Sequence, residues 1–417
     1  MPVSTPTVTQ VDMIAVPTSR PVSYLSEAAR LAERLGCVLL VLASGRCHAR
    51  QVIDVYEGRL GGRLIAVDVP PGYTKSQEMF QFEADAIAAG VSPRVSDVSV
   101  KRNLALVIAR ATGVRRLFFL DDDLVVPDWV DVLRAASTVG KRHRAAGMRV
   151  VGFLDNSVVC HANRLTGGQQ DTFVGAGALM VNPQHFTAFF PDVYNEDWFY
   201  LLDCAADRAI GMSGIAAQRE FDPFRTPERA RREEFGDVLA ESLFSLLESG
   251  SPVSDADVAF WRTAIDRRRR FIDEVGIRVA SVQVPPAGQR RIAAALEAAK
   301  KAQRDFTPAD CAGYVRAWVR DRLRWADRIN GLTCSRKLGS VLGMLELEPY
   351  GSMDLGEGLP TGRRVHERML ADPLADQHGR PLFGRNTPAM LGATVRREPP
   401  IVLPAAPSTD SSIGVSA

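Results

Sequence analysis

The chain has only six cysteines in 417 residues, and Cys37, Cys47, Cys160, Cys204, Cys311 and Cys334 are far apart with no Cys-x-x-Cys pair. A zinc knuckle, a dithiol redox motif and a disulfide scaffold are thereby excluded, and each thiol reads as a small core hydrophobe. Long apolar runs are missing too. The longest, Val38 to Ala43 and Leu117 to Leu120, have strand length, far below the ~18 to 20 residues that cross a bilayer, so no transmembrane segment is expected. Neither sign of charge is in excess: 51 Lys+Arg face 49 Asp+Glu for a formal net charge of +2, which argues against wholesale electrostatic binding of nucleic acid. Residues 1–12 lack both a basic start and an apolar core, so they do not read as a secretory signal, and a cytoplasmic protein is expected. No internal repeat with a fixed period is visible.

What is present is ordinary globular composition, 46% hydrophobic and 24% charged, on a chain long enough for one large domain with an elaborate appendage or for two to three domains. Residues 1–10 read as a flexible leader. The first half then alternates strand-length apolar runs with helical patterns: a strand over Met13–Pro17, a helix over Ser26–Leu35 and a strand over Cys37–Ala43. A strand over Arg63–Val69 follows, then helices over Ser76–Ala89 and Val98–Thr112 and a strand over Arg116–Leu120. That alternation predicts a mostly parallel α/β sheet covered on both faces, whose ligand sites lie beyond the carboxyl ends of the strands.

After about residue 225 the pattern becomes helical. Thr226-Pro227 supplies an N-cap and first-turn proline for a helix to roughly Glu248. Apolar stripes follow at Val258, Trp261, Ile265, Ile272 and Val275, and at Val315, Val319, Leu323 and Ala326 around Trp318 and Trp325. These read as helix-to-helix core. Ten Arg or Lys against five Asp or Glu between Ser281 and Asn330 read as a solvated basic face, with a phosphate-bearing partner or an anionic membrane surface as the alternative. Glu233, Asp237 and Glu241 share one helix face, read as exposed and paired with Arg229, with an acceptor-lining role as the alternative. The predicted domains are residues 11–225 (sheet), 226–348 (helical) and 349–417, an extended segment whose Ser-, Ala- and Pro-rich end reads as a disordered tail.

The chemistry concentrates at Leu117-Phe118-Phe119-Leu120-Asp121-Asp122-Asp123, where a buried-type strand runs directly into three carboxylates. Adjacent negative charges call for a hard cation such as Mn²⁺ or Mg²⁺. Mg²⁺ takes one or two protein carboxylates and completes its shell with water and phosphate oxygens, which points to a nucleoside diphosphate.

Four ordered segments carry a resemblance. Ala15-Val16-Pro17-Thr18-Ser19-Arg20-Pro21 is similar to a first-strand signature. Lys101-Arg102-Asn103-Leu104-Ala105, followed by Ala111-Thr112-Gly113 and Asp121-Asp122-Asp123, resembles an Arg-Asn helix leading to a DxD motif. Gly175-Ala176-Gly177-Ala178-Leu179-Met180-Val181 resembles a Gly-rich acceptor-side strand, and Asn195-Glu196-Asp197-Trp198 a Glu-Asp motif opening a helix. Together, over roughly Val11 to Cys204, they resemble the GT-A fold, family 2-type glycosyltransferases, which move a sugar from a nucleotide-diphosphate donor.

The resemblance implies a GT-A, Rossmann-like domain with an α-helical C-terminal extension, and a metal-dependent transferase acting on an unidentified acceptor hydroxyl. It implies donor contacts at Pro17, Thr18, Arg20, Ser44, Arg102, Asn103, Asp121 and Asp122, with Asp121 and Asp122 touching the ribose or helping to hold the metal. Asp123, with Asp121, would be the metal ligand. Gly175, Ala176, Gly177 and Trp198 would line the acceptor side. Asp197 would be the base of an inverting displacement, with Glu196 orienting it or binding acceptor. Where the family has an acidic base-reading residue this chain has Ala43-Ser44-Gly45-Arg46, which leaves the nucleobase open. Asn103 is read equally as a pin for the acidic loop. His161, six residues after Asp155 in a loop-like stretch, is weighed as an acceptor contact against a structural histidine, and His366 and His378 as late metal ligands. The rivals are a retaining transferase on the same fold, a nucleotidyltransferase, for which Pro17 to Pro21 lacks the glycines of a triphosphate loop, and a non-catalytic nucleotide-sugar-binding or scaffold protein.

Overall fold

The computed structural model describes residues 8–94, 96–140, 142–153, 157–169, 174–281, 284–332, 337–351, 359 and 365–366. Asp155, Cys334, His378, most of the leader and nearly all of the C-terminal segment lie outside the described residues. The first half runs β1 (Val8–Thr9), β2 (Met13–Thr18), α1 (Ser26–Leu35), β3 (Val38–Ala43), α2 (Ala49–Leu60), β4 (Leu64–Asp68), α3 (Tyr73–Ser76), α4 (Glu83–Val91), α5 (Val98–Ala111) and β5 (Leu117–Leu120). It continues with β6 (Leu124–Val125), α6 (Trp129–Thr138), β7 (Ala145–Gly152), α7 (Val158–Leu165), β8 (Ala178–Val181), α8 (Glu196–Ala206) and β9 (Ile210–Gln218). Then come α9 (Pro227–Glu248), α10 (Val258–Val279), α11 (Pro286–Ala302), α12 (Pro308–Asn330), α13 (Leu338–Met344), β10 (Pro349–Tyr350) and β11 (Val365–His366).

Nine strands form one sheet in the order β10-β4-β3-β2-β5-β8-β7-β9-β6. The β4-β3-β2-β5 block is parallel, as the strand-helix alternation predicts, and β8 inserts antiparallel between β5 and β7. Period-two alternation explains the layering. Met13, Ala15, Leu40, Leu42 and Phe119 face one apolar cluster, while Ile14, Val16, Leu39, Val41 and Phe118 face another. Helices α1, α2 and α6 cover the second face through Leu31, Val52 and Leu133. The first face is covered by α5, α8, α9 and α12 through Leu104, Leu201, Leu239 and Trp318. One apolar cluster therefore runs from the sheet into the helical half. A separate cluster joins α7, α10 and α11 through Val159, Ile272, Val275 and Leu296.

Several local expectations are corrected. The helix predicted over Ser76–Ala89 is broken, because Gln77 and Phe82 are extended. The break lets Phe80 and Phe82 reach the buried Trp325 ring at 6.1 and 5.9 Å between centroids, so tertiary burial overrides a continuous helix. Helix α2 has no counterpart in the predicted elements, although Val52, Tyr56 and Leu60 at i, i+4 and i+8 are its buried face. Thr226 makes no side-chain cap bond, and Pro227 alone marks the start of α9.

Val258, Val319 and Leu323, predicted as core, are 39%, 38% and 66% exposed. On α12 the buried stripe is instead Cys311, Tyr314, Val315, Trp318, Trp325 and Ile329, because the aromatic rings offer more area to bury. Much of the basic face is spent on pairing: Arg320 and Arg324 with Glu83, Arg322 with Asp203, Lys300 with Asp273 and Arg291 with Asp222. Glu233 and Asp237, predicted exposed, are 5% and 2% exposed. Glu233 does pair with Arg229 at 2.7 Å. The five described cysteines are buried and unpaired. Among the described residues no helix is long and apolar enough to cross a membrane.

The two halves are also joined by polar groups. Asp321 of α12, 0% exposed, accepts the Ala84 backbone N–H at 2.8 Å and so satisfies an orphan donor in the first turn of α4. In Asp321→Ala that N–H is left buried without its acceptor. The expected outcome is a loss of about 1 to 3 kcal/mol, read as a lower urea midpoint at unchanged slope; an unchanged midpoint contradicts the assignment.

Candidate active site

Parallel pairing of β2 with β5 brings their carboxyl ends together, so Thr18 and Arg20 stand beside Asp122 and Asp123 although about a hundred residues separate them. Thr18 Oγ1 donates to Asp122 Oδ2 at 2.5 Å, and Arg20 donates to Asp122 through one terminal nitrogen and reaches Asp123 Oδ2 at 2.9 Å through the other. On the other side β8 lies antiparallel to β5, with Leu120 opposite Ala178, and the Asp121 N–H donates to the Gly177 carbonyl at 2.8 Å. The glycines there are needed for close approach. A Cβ on Gly177 would lie 3.1 Å from Asp121 Oδ2, and one on Gly175 would lie 2.9 Å from Asp197 Oδ2.

The same Gly175–Gly177 segment holds the first turn of α8. Ala176 N–H donates to Asp197 Oδ2 at 3.0 Å, and the Trp198 N–H donates to Asp197 Oδ1 at 2.9 Å. One buried guanidinium joins the two acidic groups: Arg102 of α5, 4% exposed, donates to Asp121 at 2.8 and 3.0 Å and to Glu196 at 2.7 Å. Arg94 takes the other Glu196 oxygen at 2.8 Å. Flanked by Asp121 and Glu196, the Arg102 guanidinium is held more firmly protonated than usual despite its burial.

Burial makes Asp122, Asp123 and Asp197 harder to ionise than a free aspartate. Burial, then the Glu196 charge, push Asp197 up to about 6, against the pull of Arg102. Burial and Asp121 likewise raise Asp123 to about 6, with Arg20 pulling the other way. A carboxylate poised near 6 is ionised at neutral pH yet more basic than a free aspartate, the property required of a general base.

Of the expected site residues, Thr18, Arg20, Arg102, Asp121, Asp122, Asp123, Gly175, Ala176, Gly177, Glu196 and Asp197 are brought together at one rim of the sheet. The other four, Asn103, Pro17, Trp198 and Ser44, are engaged within the fold. Asn103 exchanges both amide bonds with the Phe190 backbone, at 2.8 Å each, so its side chain ties α5 to the 190 loop and not to the acidic loop. Pro17 is buried in β2 opposite Leu42. Trp198 packs edge-on against Phe244 of α9 at 5.0 Å. Ser44 accepts from Lys101 Nζ at 2.7 Å, and Gly45, at φ +61, lies against the Ser19 carbonyl. Arg46 is exposed beside it. His161 sits in α7, not a loop, stacked on Phe153 at 4.9 Å and 1% exposed. Burial lowers it to about 3, which keeps it neutral.

Three supporting cations are not among the expected residues. Lys101, 1% exposed, donates to the Thr18 carbonyl at 2.7 Å and pairs with Asp97 at 2.9 Å, so it holds the first-strand loop. Its signal in the sequence was a charge inside an apolar helix. Arg94 carries no such signal. Arg219 enters because Leu124 of β6 pairs with Gln218 of β9; its N–H donates to the Asp123 carbonyl at 3.0 Å and its guanidinium lies over Tyr24 at 5.2 Å, with Arg20 over the same ring at 5.6 Å.

The fit to a divalent cation is partial. Both oxygens of Asp121, one of the two expected ligands, accept from Arg102. Asp123, 18% exposed in its side chain, meets Arg20 through Oδ2 and can offer one carboxylate, enough for an ion that completes its shell with phosphate and water. Among the described residues, the acidic side chains that converge most closely with a thiol are elsewhere, at Cys160, Asp237 and Glu241. Arg268 already bonds both of those carboxylates.

No protein-family model matches the chain, and no curated protein matches it. Among solved structures the chain is similar to S. aureus TarS 1-349, at 12% identity over 71% of this chain and 90% of that one with a TM-score of 0.35. The same protein in complex with UDP-GlcNAc gives 13% identity, 71% and 91% coverage and a TM-score of 0.34. Mouse xyloside xylosyltransferase 1, apo form, gives 11% identity, 42% and 68% coverage and a TM-score of 0.26. These superpositions are loose, so the functional reading stands on the chain's own geometry.

Proposed function

We propose that the chain is a glycosyltransferase that moves a sugar from a nucleotide-diphosphate donor to an acceptor hydroxyl by single displacement with inversion. The observation that carries the reading is the shared Gly175–Gly177 segment, which bonds Asp121 through the Gly177 carbonyl and Asp197 through the Ala176 N–H. A strand-end acidic run and a carboxylate with a base-like pKa are thereby set on two sides of one small-residue strip.

In this reading Thr18, Arg20 and Asp122 form the donor side, and Arg20 and Arg219 present positive charge to the diphosphate. Mn²⁺ or Mg²⁺ bound at Asp123 would supply charge stabilisation for the leaving diphosphate. Asp197 takes the proton of the attacking hydroxyl, its orientation set by the Ala176 and Trp198 N–H groups. Glu196, committed to Arg94 and Arg102, holds the first turn of α8 and keeps the Asp197 pKa high. Glycines at 175 and 177 leave room for the acceptor beside both carboxylates.

Calorimetric titration with UDP, GDP, dTDP, ADP and CDP, each with and without Mn²⁺, tests the donor side. Binding of one nucleotide is expected, with the metal-dependent part lost in Asp123→Ala and the remaining part weakened in Arg20→Ala. A folded protein that binds none of them sinks the reading and leaves a scaffold role.

The base is tested by pH. Activity needs the Asp197 carboxylate, so kcat is expected to rise with pH through about 6 and to level above it. Glu196→Gln removes the like charge and moves that limb to lower pH, whereas Asp123 owes its elevation to burial and Asp121. Asp197→Asn is expected to cost roughly 10² to 10⁴ in kcat. A limb that ignores Glu196→Gln rules out this assignment.

A further inference from the structure

Asn195, the residue before the Glu196-Asp197 turn, is a non-glycine residue in the left-handed region, at φ 64. Such a conformation needs local support. Its side chain reaches out of the sheet half: Asn195 Nδ2 donates to Asp237 Oδ1 of α9 at 2.9 Å. The other Asp237 oxygen accepts from Arg268 Nη2 of α10 at 2.5 Å. Arg268, 5% exposed, also donates to Glu234 at 3.2 Å through two nitrogens and to Glu241 at 2.8 Å, and Gln303, which caps the end of α11, holds Glu234 at 2.7 Å. Gln303, Glu234, Arg268 and Asp237 thus form one chain of hydrogen bonds that ends on the Asn195 side chain.

A second contact is independent of these charges. Gly236 lies so close to the loop that a Cβ there would be 2.2 Å from the Tyr194 carbonyl oxygen. The helix therefore rests directly on the backbone just before Asn195. From the opposite side Arg94 donates to the Val193 carbonyl at 2.5 Å and Arg102 to Glu196. Residues 193–196 are clamped between the sheet half and the helical half.

Burying an arginine with three carboxylates is a poor route to stability, since well-packed apolar residues of similar volume are often as stable or more so. Its distinguishing property is direction, because a bidentate guanidinium fixes the carboxylates it holds. We infer that the Arg268–Asp237–Asn195 relay is the positioning device for Asp197, and that orienting the base is a function of the helical half. Asp237 and Arg268 are positioning residues: they touch neither donor nor acceptor and act through the Asn195 turn. The inference rests on Asp197 being the base.

Asn195→Gly tests it cleanly, because glycine adopts the left-handed backbone without strain and only the tether is lost. Donor turnover is read as nucleoside diphosphate released from UDP-, GDP- and dTDP-glucose, and amide exchange is followed over residues 196–206. The expected result is a kcat lower by roughly 10- to 100-fold, a donor KM changed by less than about twofold, a wild-type thermal midpoint and faster exchange in the first turn of α8. Asp237→Asn, whose amide oxygen can accept from Arg268 while its NH2 donates to the Oδ1 of a turned-over Asn195 amide, is expected to retain most of the kcat that Asp237→Ala loses. Wild-type kcat in Asn195→Gly overturns the inference, as does equal damage in the two Asp237 variants. If the wild type turns over none of the three donors, the transferase reading is what fails. Exchange then decides the relay alone, and an unaltered first turn of α8 in Asn195→Gly overturns it.

Discussion

The arrangement of the site depends on one buried cation. Arg102 is 4% exposed, and taking a guanidinium out of water is costly unless carboxylates surround it in good geometry. Asp121 and Glu196 meet that requirement from two different elements, one at the end of β5 and one at the start of α8. The strand end and the helix start are thereby locked to each other through α5. Removing one partner of such a pair typically costs about 3 to 5 kcal/mol, because a charge is left buried alone. The same constraint shapes the chemistry, since Asp121 is occupied by the arginine, while burial raises Asp122, Asp123 and Asp197.

The rest of the molecule repeats this solution at larger scale. Lys101 ties the loop after β2, and Arg94 ties the loop before α8. Arg268 gathers three carboxylates of α9. Lys101 and Arg94 sit where loops would otherwise carry backbone carbonyls with no fixed partner. Apolar packing beneath them is continuous from Phe119 of the sheet to Trp318 of α12. The helical half is therefore an extension of the same core, with Asp321 capping α4 and Asp237 holding Asn195 across the junction.

How much was legible in the sequence differs between layers. The β2, β3, β4 and β5 strands were visible because buried parallel strands read as short, nearly continuous apolar runs. The Asp121–Asp123 run was visible by its position after such a strand, and Asn195 to Trp198 by the helix that follows. Val319 and Leu323 looked like core because helical spacing identifies a stripe without saying which of two stripes faces inward. Glu233 and Asp237 looked exposed because charge is ordinarily outside, and their buried partners, the Val158 N–H and Arg268, are 75 and 31 residues away.

The amino-acid sequence by itself determined the α/β order, the positions of the acidic run and the Glu-Asp turn, and the start of the helical half at Pro227. Those features are local: each depends on side-chain periodicity, strand length or proline geometry within a few residues. The tertiary structure alone decided that Asp121 serves Arg102, that Asn103 serves Phe190, that Arg219 joins Arg20 at Tyr24, and that α9 and α10 hold the turn carrying Asp197. Each of those outcomes is a choice of partner among many like charges and amides along the chain. Such a choice is made by burial and distance in the packed fold, where an unpaired polar group is expensive and only a neighbour in space can satisfy it.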